Sequence, residues 1–192
     1  MSSLNLEKYD EWKDDPDMIG DVMRFLDNVL SDFINKAPEQ FKDAKYSAER
    51  ERSVGLGVMG FHSFLQKKRI PLESVMAKSW NKKIFKNIHE KVNQASKDLA
   101  EERGACPDAA EYGFKERFSN KTAIAPTASI SIICGGASPG VEPIAANSYT
   151  HKTLSGSFNV RNRYLEEILE SHGKNDDETW STITTNQGSV SH

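Results

Sequence analysis

The feature that most constrains this chain is the stretch Asn120–Ala146, NKTAIAPTASISIICGGASPGVEPIAA. It opens with a β-prone run, Thr122-Ala123-Ile124-Ala125, which Pro126 stops because proline lacks an N–H and fixes its own φ. Small and hydroxylated residues follow, Thr127, Ala128, Ser129, Ile130 and Ser131, at the head of an apolar segment. A second turn is spelled by Gly135-Gly136-Ala137-Ser138-Pro139-Gly140. Read physically, this is a buried strand, a tight turn and the first turn of a helix. The amides of a first helical turn have no intrahelical acceptor, and the helix dipole makes their surroundings positive. Such an end can hold an anion, Thr and Ser hydroxyls add donors, and a residue as small as Ala128 lets the anion reach the main chain. The same residues also describe a Thr or Ser N-cap with no ligand. Chemistry alone leaves both readings open. Under the first, Thr127, Ala128, Ser129 and Ile130 are the binding residues, through their amides and the Thr127 and Ser129 hydroxyls.

Pro126-Thr127-Ala128-Ser129-Ile130-Ser131 followed by Gly140-Val141-Glu142-Pro143 resembles the substrate-phosphate loop of ribonucleotide reductase large (catalytic) subunits. In that family a PT(A/G)S-type turn holds the nucleotide phosphates and a G(I/V)EP segment follows after a short loop. Two further stretches carry the resemblance. Arg52 to Phe61, RSVGLGVMGF, is similar to the family's RxxGxGVxG(F/L) segment, and Glu101 to Pro107, EERGACP, to its GACP helix end. Ser2-Ser3-Leu4-Asn5-Leu6 resembles the segment just after one of the family's redox-active cysteines. The likeness runs through nearly the whole chain, yet it covers only a middle-to-late portion of such a subunit.

The resemblance implies an α/β fold: residues 1–192 as a single partial domain, a helix-rich segment of the family's ten-stranded barrel with a β-hairpin after the phosphate loop. It implies a segment of ribonucleoside-diphosphate reductase, closest in wording to class I and viral or phage-like forms, although the B12-dependent class uses a similar loop. The ligand it implies is a ribonucleoside diphosphate. The partners are the remaining portions of the large subunit, a radical-generating small subunit and, for the full subunit, a second copy. No cofactor is expected on this segment; the full enzyme would need the small subunit's radical and a thiol reductant.

Gly55, Gly57 and Gly60 also spell G-x-G-x-x-G, the dinucleotide fingerprint. That motif should follow a hydrophobic strand, whereas Glu49-Arg50-Glu51-Arg52 precedes it here, and no second strand ending in an acid follows at the expected distance. The alternative is a short barrel strand over Val54–Val58 turning into a helix from Gly60 to about Lys68, with glycines where packing is close. The likeness to the reductase segment agrees with packing and carries no catalytic role.

Charge narrows the partners. With 25 basic and 28 acidic residues the net charge is -3, which gives no electrostatic case for nucleic acid or a membrane surface. No apolar run approaches a membrane span. Two cysteines, Cys106 and Cys134, are too few for a disulfide framework and lack metal-site spacing, so a reducing, cytoplasmic setting is expected, the host's if the source is viral. Neither stands where the family keeps a redox cysteine; Cys106 reads as a structural thiol. His62, His89, His151, His172 and His192 show no metal spacing.

The rest of the chain reads as helices. Asp15-Pro16-Asp17 is a helix start, followed by an apolar stripe at Ile19, Val22, Met23, Leu26, Val29, Leu30, Phe33 and Ile34 that ends before Pro38. Ser74 to Arg103 is the longest helical pattern, with Phe85, Ile88, Val92, Ala95 and Leu99 in register and Gly104 as a stop. After the phosphate loop, Ser148–Thr153 and Ser157–Val160 flank a turn at Leu154-Ser155-Gly156, and Arg163–Ser171 reads as a short helix.

The sequence lacks the family's Asn-x-Cys-x-Glu finger loop, whose cysteine becomes the thiyl radical, and the cysteines that reduce the substrate. No catalytic residue is therefore assigned. The expectation is a split-gene product, a truncated frame or an excised piece that supplies the phosphate loop to a complete site. The alternative is a stand-alone nucleotide-binding or regulatory module.

Overall fold

The computed structural model describes residues 1–153 and 156–191. They form two compact units, Met1–Glu142 and Pro143–His192.

The first unit is built on a small parallel sheet. β1 (Ser2–Asn5) pairs in parallel with β2 (Leu56–Met59), Ser2 opposite Leu56 and Asn5 opposite Met59. An extended run at 120–123 lies along the other edge of β2. The Val54 and Leu56 amides donate to the Asn120 and Lys121 carbonyls, the Ala123 amide donates to the Leu56 carbonyl, and Leu56 and Thr122 form a parallel bridge. The strand expected at Val54–Val58 thus sits at Leu56–Met59, and the one expected at Thr122–Ala125 is an extended segment joined to it.

The first pair of glycines in the G-x-G-x-x-G match serves this approach. A Cβ on Gly57 would collide with the Ala123 carbonyl oxygen, and one on Gly55 would lie 2.9 Å from the Ala123 Cβ. The spacing therefore marks two backbones in close contact.

Helices cover the sheet. After the short α1 (Tyr9–Trp12), α2 (Met18–Lys36) starts where Asp15 accepts from the Asp17 and Met18 amides at 2.9 and 3.1 Å. α3 (Lys42–Glu51) precedes β2, and α4 (Phe61–Lys67) follows it. α5 (Val75–Arg103) is capped by Ser74, which accepts from the Ala77 amide, and ends at Gly104 with φ 88°. The short α6 (Pro107–Glu111) leads into the 120–123 run. Ile19, Met23 and Leu26 from α2, Leu4, Leu56 and Val58 from the strands, and Ile84, Ile88, Val92 and Leu99 from α5 make one continuous core.

The α2 stripe departs from its pattern. Ile19, Met23, Leu26 and Ile34 are buried, but Val29 and Phe33 are exposed and the fully buried neighbour is Asp27. Three arginines explain this. Arg52 Nε and Nη2 donate to Asp27 Oδ1 at 3.0 and 2.6 Å, Arg117 Nε donates to the same oxygen at 2.9 Å, and Arg103 Nη1 donates to Oδ2 at 2.8 Å. A buried carboxylate is tolerated when it is paired and hydrogen-bonded in this way.

The second unit holds the hairpin of β3 (Ser148–Thr153) and β4 (Gly156–Arg161), antiparallel with Ser148 opposite Arg161. The expected turn residues Leu154 and Ser155 lie outside the described residues, as does His192. α8 (Arg163–Ser171) begins at Asn162, whose side chain accepts from the Tyr164 amide. α9 (Asp177–Thr185) buries Trp180 and Ile183. Among the described residues no helix is long and apolar enough to cross a membrane.

Candidate functional site

The segment behind Pro126 folds as its residue types require. α7 (Ala128–Ile133) opens directly after Thr127, and its first backbone bond runs from the Ser131 amide to the Thr127 carbonyl at 2.9 Å. The amides of Thr127, Ala128, Ser129 and Ile130 donate to no acceptor among the described residues. Ala128, Ser129 and Ile130 are exposed, whereas Thr127 is buried. The structure therefore brings the four expected residues together in one turn.

The two hydroxyls differ. Ser129 is exposed and its hydroxyl has no partner among the described residues. Thr127 is 3 % exposed, and its Oγ1 accepts from the Gly140 amide at 2.7 Å. That oxygen closes the loop onto its own beginning across thirteen residues. The helix end is tied in the same way: the Gly136 and Ala137 amides both donate to the Ser131 carbonyl. Gly135, Gly136 and Gly140 take φ of 90°, 74° and 53°, conformations that β-carbons disfavour, which is how so short a segment reverses.

No Lys or Arg occurs between Lys121 and Lys152, so this cradle offers an anion main-chain and hydroxyl donors and no cationic side chain of its own segment. The arrangement can bind and orient a phosphate. Residues 127–130 themselves carry no carboxylate, imidazole or thiol. Cys134, just beyond α7, is exposed, and Cys106 is fully buried behind α6. His62, on α4, is half-buried, and burial pushes its pKa below the usual imidazole value. Among the described residues no cluster of three or more His, Cys, Asp or Glu could hold a metal ion.

The floor of the cradle was not visible in the sequence. Ser63 of α4 and Ser138 of the returning loop bond each other twice. The Ser138 amide donates to Ser63 Oγ at 2.8 Å, and the Ser63 amide donates to Ser138 Oγ at 3.1 Å. The Gly60 amide adds a bond to the Ser138 carbonyl at 2.7 Å. The partners are 75 residues apart, beyond any local pattern. Ser138 lies in the turn at 135–140 and Ser63 two residues past the segment at 52–61, and neither pattern marks their pairing.

Similar proteins share this segment. Residues 1–116 and 107–192 match the family described as ribonucleotide reductase, barrel domain. The ribonucleoside-diphosphate reductase large subunit of Invertebrate iridescent virus 6 is 50% identical over 192 residues, covering 99% of this chain and 20% of the relative. That of Invertebrate iridescent virus 3 is 44% identical over 195 residues, covering 100% of this chain and 31% of the relative. Among solved structures, the Actinobacillus ureae class Id ribonucleotide reductase alpha subunit superposes with a TM-score of 0.89 at 38% identity, over 99% of this chain and 34% of that one. The chain thus spans a fifth to a third of the length of these relatives, and it belongs to the ribonucleotide reductase family as a segment of the barrel domain.

Proposed function

We propose that this chain forms part of the substrate-binding wall of a ribonucleoside-diphosphate reductase large subunit, the enzyme that makes deoxyribonucleotides for DNA synthesis. The amides of Thr127, Ala128, Ser129 and Ile130, with the Ser129 hydroxyl, bind the terminal phosphates of a ribonucleoside diphosphate. The observation that carries this reading is the row of four adjacent amides without acceptors among the described residues, behind a proline that ends the preceding extended run. Charge-assisted hydrogen bonds to such an anion contribute roughly 1.5–3 kcal/mol each. Thr127 takes part through its amide, while its side-chain oxygen shapes the loop.

The chemistry belongs to the rest of the subunit. Ribonucleotide reduction needs a radical to abstract the 3′ hydrogen, an acid and a dithiol, and this segment offers one buried and one exposed cysteine at neither of the required places. The parallel sheet supports the same view. Among the described residues neither the outer edge of β1 nor that of the 120–123 run carries a strand, and such edges present unpaired backbone groups to further chain. The remaining portions of the large subunit are the partners that complete it. A radical-generating small subunit, a thiol reductant, a second large subunit and a cytoplasmic setting belong to the whole enzyme of this reading, which we assign to class I.

The test is Ser129→Pro in a large subunit completed with the missing portions. The change removes two donors, the Ser129 amide and its hydroxyl, at a first-turn position that tolerates proline. KM for the diphosphate should rise at least about tenfold, the worth of one of these two bonds, with the fold intact. A normally folded variant with unchanged KM would leave residues 127–130 as a plain helix cap.

A further inference from the structure

α4 starts at Gly60, which sits at φ 77° and has no side chain with which to cap the helix. The residue that does so comes from elsewhere. In a capping box one hydroxyl accepts from the amide of the third helical residue, and that residue's side chain reaches back to the capping residue's own amide. Ser63 is the third residue of α4, and Ser138 meets it in both senses. With the Gly60 amide on its carbonyl, Ser138 has its amide, hydroxyl and carbonyl all engaged, and it is fully buried. Gly60 also leaves the room this requires: a Cβ there would lie 3.4 Å from the Ala137 Cβ and 2.8 Å from Asn5 Oδ1.

The segment around Ser138 is bound to α7 on both sides. Ala137 and Gly136 donate to the Ser131 carbonyl, and Gly140 donates to Thr127 Oγ1. Whatever fixes Ser138 therefore fixes the helix whose first amides form the cradle. We propose that Ser63 and Ser138 are positioning residues for the phosphate loop, forming a capping box closed across the fold that seats α7 against the start of α4. This rests on the phosphate reading of residues 127–130 given above.

The two serines separate a positioning role from simple capping. Ser63→Ala removes the acceptor for the Ser138 amide but leaves the Ser138 hydroxyl on the Ser63 amide, so α4 stays capped. Ser138→Ala uncaps α4. The experiment uses the 192-residue chain and reads amide hydrogen exchange residue by residue, together with titration by inorganic pyrophosphate followed at the amides of 127–130. In Ser63→Ala, exchange at Ala137 and Gly140 should rise about tenfold or more while Ile88 and Val92 of α5 keep their protection. Pyrophosphate affinity should fall by a similar factor. Ser63→Cys, near serine in size and a weaker acceptor, should lie between wild type and Ser63→Ala, and it carries the test if the alanine variant does not fold. Unchanged exchange at Ala137 and Gly140 overturns the inference. Raised exchange with unchanged pyrophosphate affinity also overturns it, leaving a structural clasp. A wild-type chain that binds no pyrophosphate overturns the phosphate reading itself, and the positioning role with it.

Discussion

Arg52 Nη2 lies 2.6 Å from Asp27 Oδ1, and this contact joins the middle of α2 to the lead-in of β2. Arg52 adopts φ 44°, a left-handed conformation that costs a non-glycine residue about 1 kcal/mol or more. Its side chain repays this on Asp27 and on the Ser31 hydroxyl. Arg103 and Arg117 bring the end of α5 and the approach to the 120–123 run to the same carboxylate. One buried anion thus clamps four segments.

Replacing Asp27 by Asn should be strongly destabilising. It leaves three guanidinium groups facing one another, two of them largely buried, and breaking a buried pair typically costs about 3–5 kcal/mol. Urea unfolding of wild type and Asp27→Asn measures the loss.

The same residue gives a pH dependence. Burial pushes the Asp27 carboxyl up, but hydrogen bonds from Arg117, Arg52 and Arg103 outweigh it and hold the pKa below the usual carboxylate value. A depressed folded pKa adds stability that is present above the unfolded value of about 3.9 and is lost as pH falls through the folded one. Wild type should therefore lose stability below about pH 4 more steeply than Asp27→Asn. Parallel acid limbs in the two unfolding profiles would contradict the assignment.

Gly57→Ala should destabilise the sheet by about 1–3 kcal/mol, because a β-carbon there meets the Ala123 main chain, which cannot swing aside as a side chain can. Gly20→Ala, where a Cβ meets nothing within 4 Å, is the matched control and should be neutral or stabilising. Thermal melts of the two variants give the comparison.

In the second unit, Asp176 accepts from the Thr179 amide at 2.7 Å and caps α9. Asp176→Ala should cost about 0.5–2 kcal/mol. Amide exchange at Trp180 and Ile183 reads the loss directly.

The isolated chain should form no deoxynucleotide, even with a radical-generating subunit and a reductant, and Cys106 and Cys134 should be dispensable for chemistry in a completed enzyme. Deoxynucleotide production by this chain alone would overturn the assignment of chemistry to the missing portions.

How far the sequence was legible follows from what its patterns encode. α5 was readable because a core-facing stripe, a serine cap and a terminal glycine all agree over 29 residues. The helix start behind Pro126 was readable because proline, small residues and hydroxyls lie in one run. β1 was not, since four residues are too few for alternation to show, and its pairing partner begins more than fifty residues later. α3 buries no residue, so it has no apolar stripe; Arg50 ties it to Glu111 at 2.7 Å. α9 did carry a signal, Asp176 followed by two acids and then Trp180 and Ile183, which its polar composition obscured. The Asp27 cluster was hidden because a lone acid in a helical stripe looks like an interruption until its three distant arginines are placed.

The order of the parallel strands also bears on how the chain acquires its shape. Residues 2–5, 56–59 and 120–123 meet side by side, so each pairing closes a loop of more than fifty residues, and nothing local rewards either closure early. α2 and α5 can form from near-neighbour contacts, whereas the first strand pairing needs some 60 residues of chain and the second some 120. The cradle, lying beyond the last of these pairings, is then among the late parts to be organised. Refolding followed by amide protection should show helix signals leading and the Leu56 and Ala123 amides trailing.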